Sequence, residues 1–97
     1  GRRLLSAEAV RLTAADAGTL GPCGIGWWSN GEGDCVKLPR DAFFGSGAGH
    51  QILLVVPSLN LIVVRYGGVL AKVATDPKSY HEAYSRFLFE PLMDARQ

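Results

Sequence analysis

The stretch AFFGSGAGHQILLVVPSLNLIVVRY, from Ala42 to Tyr66, decides the fold. Ala42-Phe43-Phe44 begins a strand, and the alternating glycines of Gly45-Ser46-Gly47-Ala48-Gly49 turn it. Residues 51–56 run back as a nearly continuous apolar strand, the pattern of a strand buried on both faces. Pro57-Ser58-Leu59-Asn60 is tight-turn chemistry, and residues 61–66 are rich in β-branched side chains before Gly67-Gly68 ends them. Connections this short make the strands antiparallel neighbours.

Upstream, Gly24-Ile25-Gly26-Trp27-Trp28 reads as a further strand, its adjacent Trp residues pointing to opposite covered faces. Residues 29–34 are a turn, and Val36-Lys37-Leu38 is a short return strand or an extended loop, with Pro39 favouring loop or edge. Residues 6–16 form a short helix capped by Ser6, with Leu5, Ala9 and Leu12 on one face; Gly18 and Gly21-Pro22 stop it. Downstream, residues 69–75 carry no clear pattern. Asp76 then caps a helix with Pro77 in its first turn. Its stripe of Tyr80, Tyr84, Phe87 and Leu88 faces the sheet, and Pro91 kinks or ends it. The class is α+β: an antiparallel β-meander flanked by an N-terminal helix and a C-terminal helix.

The chain has 97 residues, with Lys+Arg 10 against Asp+Glu 9. That balance rules out a strongly basic nucleic-acid surface, or an acidic solvating tail, as the default reading. Apolar residues at 47% and charged residues at 20% describe a globular chain. The longest apolar run, residues 52–56, is far short of the roughly 18 residues of a membrane span. Gly1 is followed by Arg2-Arg3 without an initiator Met or a signal-peptide pattern, so the expectation is a segment of a larger protein. Cys23 and Cys35 match neither a disulfide scaffold nor a zinc spacing. A hairpin centred near residues 31–32 sets Cys35 opposite Trp28 and Cys23 opposite Arg40, which favours two free thiols.

Few residues form a catalytic pattern. The stretch from Gly45 to His50 is the most unusual, because glycines at a strand end let a ligand approach backbone closely. It is no phosphate loop: no Gly-Lys-Ser/Thr follows, and the next element is a strand. Ser46 and His50 are close enough in sequence to meet around a turn, but a nucleophile elbow needs a strand-to-helix turn. His50 reads as a polar strand-end residue and His81 as part of a solvated helix face. Glu32 and Asp34 are turn carboxylates without the burial that acid–base work requires.

Three pieces together resemble the C-terminal part of a serine β-lactamase-related hydrolase, of the class-C-like, penicillin-binding type that includes esterases and amide hydrolases. They are Gly-Ile-Gly-Trp-Trp from Gly24, Leu-Pro-Arg-Asp-Ala-Phe-Phe-Gly-Ser-Gly-Ala-Gly-His-Gln from Leu38, and Val-Val-Pro-Ser-Leu-Asn-Leu-Ile-Val-Val-Arg from Val55. The opening helix resembles the same family. The resemblance places the family's Lys/His-Thr/Ser-Gly motif on Gly45-Ser46-Gly47, so that Ser46 and Gly47 are implied substrate-binding residues. The Ala48 N–H is an implied oxyanion donor. Gly45 stands where the family has a basic residue, which favours ester or amide hydrolysis over β-lactam turnover. No serine here has Lys three residues on, and no tyrosine has Asn two residues on, so the family's nucleophile and its partner are not in this sequence. The expectation is one wall of a hydrolase site, with no catalytic residue, no metal and no cofactor of its own. Its partners would be the remainder of the parent domain or a second copy, and a small ester, amide or β-lactam substrate. The alternative is a non-catalytic truncated β-sheet module acting in protein–protein association. Excised from its parent, the chain is expected to expose apolar surface around Trp27, Trp28 and the first helix. Family members are often periplasmic or secreted; this chain carries no signal that assigns a compartment.

Overall fold

Strands β2 (Phe43–Gly47), β3 (Gln51–Val56) and β4 (Leu61–Arg65) pair antiparallel in sequence order. The register sets Phe44 beside Leu54 and Leu54 beside Val63, then Ser46 beside Ile52 and Ile52 beside Arg65. Paired residues share a face, so these side chains line one side of the sheet. A two-residue strand, β1 (Trp28–Ser29), adds Trp28 opposite Phe44 at the edge. The computed structural model describes residues 1–15, 18 and 23–96. It is α+β, with a four-stranded antiparallel meander between helix α1 (Ala7–Ala14) and a C-terminal helical stretch.

That stretch begins as α2 (Pro77–Tyr84), passes through a π turn (Ser85–Phe89) and continues as α3 (Glu90–Ala95). Asp76 caps it as the sequence implies, accepting from the Ser79 N–H at 2.9 Å and the Ser79 hydroxyl at 2.7 Å. These bonds hold the Asp76 carboxyl below its ordinary pKa. Pro91 does not end the helix. It has no N–H to offer and its ring crowds the carbonyl four residues back. The backbone widens instead, with the Glu90 N–H bonding the Ser85 carbonyl. This rotates the stripe: Phe87 is exposed, and Phe89 takes a buried place beside Tyr84. The core is Leu38, Phe44, Ile52, Leu54, Val56, Tyr84 and Phe89.

Four further expectations are corrected. β3 is covered on one face only, since Ile52, Leu54 and Val56 are buried while Leu53 is exposed; the C-terminal helices cover one side of the sheet. The strand expected over residues 24–28 shrinks to Trp28–Ser29 plus a bridge from Cys23 to Trp28, because Gly26 is left-handed (φ 80°) and breaks the extended backbone. Cys23 therefore lies opposite Trp28 rather than Arg40, and Cys35 sits buried in a loop; both are free thiols. The glycine stretch is not all turn. Residues 45–47 are paired strand, and the turn is residues 48–50, with Gly49 and His50 left-handed.

Helix α1 is capped by Ser6, which accepts from the Ala9 N–H at 3.0 Å, but it buries none of its residues. Leu5, Val10 and Leu12 stay exposed, as expected of this helix, whereas Trp27 and Trp28 are half-buried. Its C-terminal end meets Gly24, where a Cβ would stand 2.6 Å from the Thr13 and Ala15 carbonyl oxygens, so only glycine fits. The helix end expected at Asp16 and the Gly21-Pro22 stop lie outside the described residues.

The loop from Gly31 to Pro39 has no ladder to hold it, and Asn30 does so instead. Its buried amide shares its two N–H protons among the carbonyls of Cys35, Leu38 and Pro39, each at 3.1 Å, and accepts from the Cys35 N–H at 2.9 Å. Val36-Lys37-Leu38 is thereby loop, not strand. Replacing Asn30 by Ala orphans buried carbonyls, with an expected loss of about 2–4 kcal/mol. Asn30→Asp sets a carboxylate against the same carbonyls and is expected to cost at least as much. Urea melts of both variants check this; a loss under about 0.5 kcal/mol, the range of an ordinary surface substitution, would refute the clamp.

Candidate functional site

The end of β2 and the turn after it face the start of α2 across a cavity of about 370 Å³. Ser46, Gly47 and Ala48, the residues singled out from the sequence, all line it. Ser46 points to the helix side, where its Oγ lies 2.6 Å from the Tyr84 Oη. Position 45 faces the other way: a Cβ there would meet the Trp27 ring at 3.7 Å. Position 45, where the resemblance would place a basic residue, thus lies on the face opposite the Ser46–Tyr84 pair. β1 pairs only with Phe43 and Phe44, so among the described residues no strand covers the outer edge of residues 45–47.

Ser46 and His50 do not form a nucleophile–base pair. The Ser46 hydroxyl is engaged by Tyr84, and His50 Nδ1 accepts the Leu70 N–H at 3.0 Å. His50 is buried and left-handed (φ 65°), a conformation costing a side-chain-bearing residue roughly 1–2 kcal/mol. Its ring contacts Tyr80 and Tyr84 at centroid distances of 5.2 and 5.4 Å, and its carbonyl accepts from Arg65 at 2.8 Å. These contacts hold it in place and close the hairpin onto the helix.

His81 corrects the solvated-face reading. It sits edge-on to Trp28 at 4.5 Å and to Phe44 at 5.2 Å. Burial pushes its pKa below the usual imidazole value, with the nearby Asp34 carboxylate opposing. Trp28, Pro77 and His81 also border a second, larger cleft of about 840 Å³. Its floor is Phe44 and Phe89, with Cys35 and Glu90 both bonded to the Ser85 hydroxyl at 3.1 Å. Asp34 lines that cleft, and Glu32 is exposed in its turn. Among the described residues no three His, Cys, Asp or Glu side chains converge as a metal site.

No protein-family model, curated protein or solved structure matches the chain. The site is thus read from its own geometry. Sequence reasoning missed Tyr84, Tyr80 and the helix-side role of His81. The signal available was the helical spacing of Tyr80 and Tyr84, read as core; the phenolic hydroxyl of a buried tyrosine needs a partner, and Ser46 is that partner.

Because the folded-state pKa of His81 is lowered, the unfolded chain binds its proton first as pH falls. The His81 contribution is fully present above about pH 6.5 and is lost as pH drops toward the lower folded value. Melting temperatures taken between pH 7.5 and 5 are expected to fall more steeply for the natural chain than for His81→Phe. Parallel curves would show that His81 titrates freely.

Proposed function

We propose that these residues form one wall of the acyl-binding site in a serine hydrolase related to the β-lactamases and penicillin-binding proteins. The nucleophile would come from sequence outside these 97 residues. One observation carries the reading: Ser46, Gly47 and Ala48 meet a single cavity at the end of a strand whose outer edge is open among the described residues. An open edge can hold an extended acyl substrate by backbone hydrogen bonds. A backbone N–H at Ala48 would serve the developing oxyanion of a tetrahedral intermediate, a contribution of about 3–4 kcal/mol per donor at most. With Gly45 in the basic residue's place, esters or amides are favoured as substrates over β-lactams.

Peptide mapping of the native protein tests this. A Ser-x-x-Lys peptide upstream of Gly1 is expected. In that whole enzyme, Ala48→Pro, which removes the N–H, should lower kcat by about 10²–10³-fold with the fold intact by circular dichroism. A native chain without such a motif would end the hydrolase reading.

A second reading, a β-sheet module that associates with protein, is favoured by the edge strand β4. Ile62 and Val64 are 68% and 52% exposed there, and Leu53 continues the patch on β3. No lysine or proline within β4 guards this edge. On that reading the chain sediments as a dimer or larger, and Val64→Lys restores the monomer. A monomer at all concentrations would exclude it.

A further inference from the structure

The 370 Å³ cavity is at the small end of the roughly 300–1,000 Å³ typical of small-molecule sites, room for a compound of one or two rings. Its walls are aromatic and apolar, with Trp28, Val69, Pro77, Tyr80 and Tyr84 among them. Tyr80 and Tyr84 lie nearly parallel, 24° apart with centroids at 6.5 Å. Among the described residues, none that lines it is Asp, Glu, Lys or Arg. His81 is no substitute cation, because burial disfavours its charged form. A carboxylate or an ammonium entering here would shed hydration with no opposite charge to replace it.

Ser46, His50 and Tyr84 line the cavity with groups that can donate a hydrogen bond. Ser46 and Tyr84 share one hydrogen bond between two hydroxyls, which consumes one of their two protons. The other proton is left for a third partner. His50 Nδ1 accepts the Leu70 N–H, so the ring's proton sits on Nε2. The matching ligand brings an acceptor, no net charge and a flat apolar body.

We propose that this cavity binds a neutral aromatic carbonyl compound, its ring among Trp28, Tyr80 and Tyr84 and its carbonyl oxygen accepting from the Ser46–Tyr84 hydroxyl pair. As a description of a substrate, the proposal rests on the hydrolase reading and names the acyl class it would take. As a binding site it stands on the cavity alone.

The test is a titration of the whole native protein, followed by amide chemical shifts at residues 46–50 and 80–84. The probes are methyl benzoate, benzoate, benzylammonium and toluene. Methyl benzoate is expected to saturate, with benzoate and benzylammonium at least tenfold weaker. Tyr84→Phe and Ser46→Ala together should weaken methyl benzoate about tenfold and leave toluene unchanged. Should the pair unfold the chain, Ser46→Ala alone carries the same comparison. Benzoate binding as tightly as its ester, equal loss of ester and toluene, or no saturable shift would overturn the proposal. Saturation by the ester in a protein that has no Ser-x-x-Lys would keep this site and remove the hydrolase reading. A Ser-x-x-Lys enzyme that fails to bind the ester would do the reverse.

Discussion

The contact of Phe44 with Tyr84 and Phe89 holds the structure together. Phe44 lies edge-on to Tyr84 at 6.0 Å and inclined to Phe89 at 5.2 Å. All three are buried, and through them the C-terminal helices cover the inner sheet face. In a regular α-helix, positions five apart are separated by about 140° around the axis, so Tyr84 and Phe89 could not both face one sheet. The wider π turn brings them to the same side. Proline at position 91 removes the N–H that a regular helix would have used, and the sheet contact rewards the result.

The same contact sets the cavity. With Tyr84 anchored between Phe44 and Phe89, its hydroxyl is directed to the end of β2, where Ser46 meets it. His50 packs against the same ring from the turn, and His81 against it from the helix, 6.0 Å between centroids. One tyrosine thus belongs to the core by its ring and to the candidate site by its oxygen.

Local chemistry was readable in the sequence. Ser6 and Asp76 act as caps because their side chains need only a partner three residues on. β3 ends where the apolar run does and begins one residue before it, and Asn60 closes the turn after it in the left-handed conformation. What depends on distant partners was not readable. Nothing near His81 announces Trp28, and nothing near Asn30 announces three carbonyls up to nine residues away. The glycines of residues 45–47 look like a turn by composition, yet β3 supplies the ladder that straightens them. The continuous apolar pattern of β3 was a true report of hydrophobicity and a poor guide to cover, since Leu53 has no layer above it among the described residues.

A one-sided sheet roofed by helices that follow it in sequence has a consequence for synthesis. The three long strands are joined by connections of three or four residues, so the meander can form as soon as Arg65 is available. Phe44, Leu54 and Val56 then wait for Tyr84 and Phe89, which are translated later by roughly one to five seconds at ordinary elongation rates. During that interval the inner face of the sheet lacks the aromatic rings that cover it in the folded chain. A ribosome-associated chaperone would find its substrate there, and slow codons between Arg65 and Phe89 would lengthen the exposure rather than aid folding.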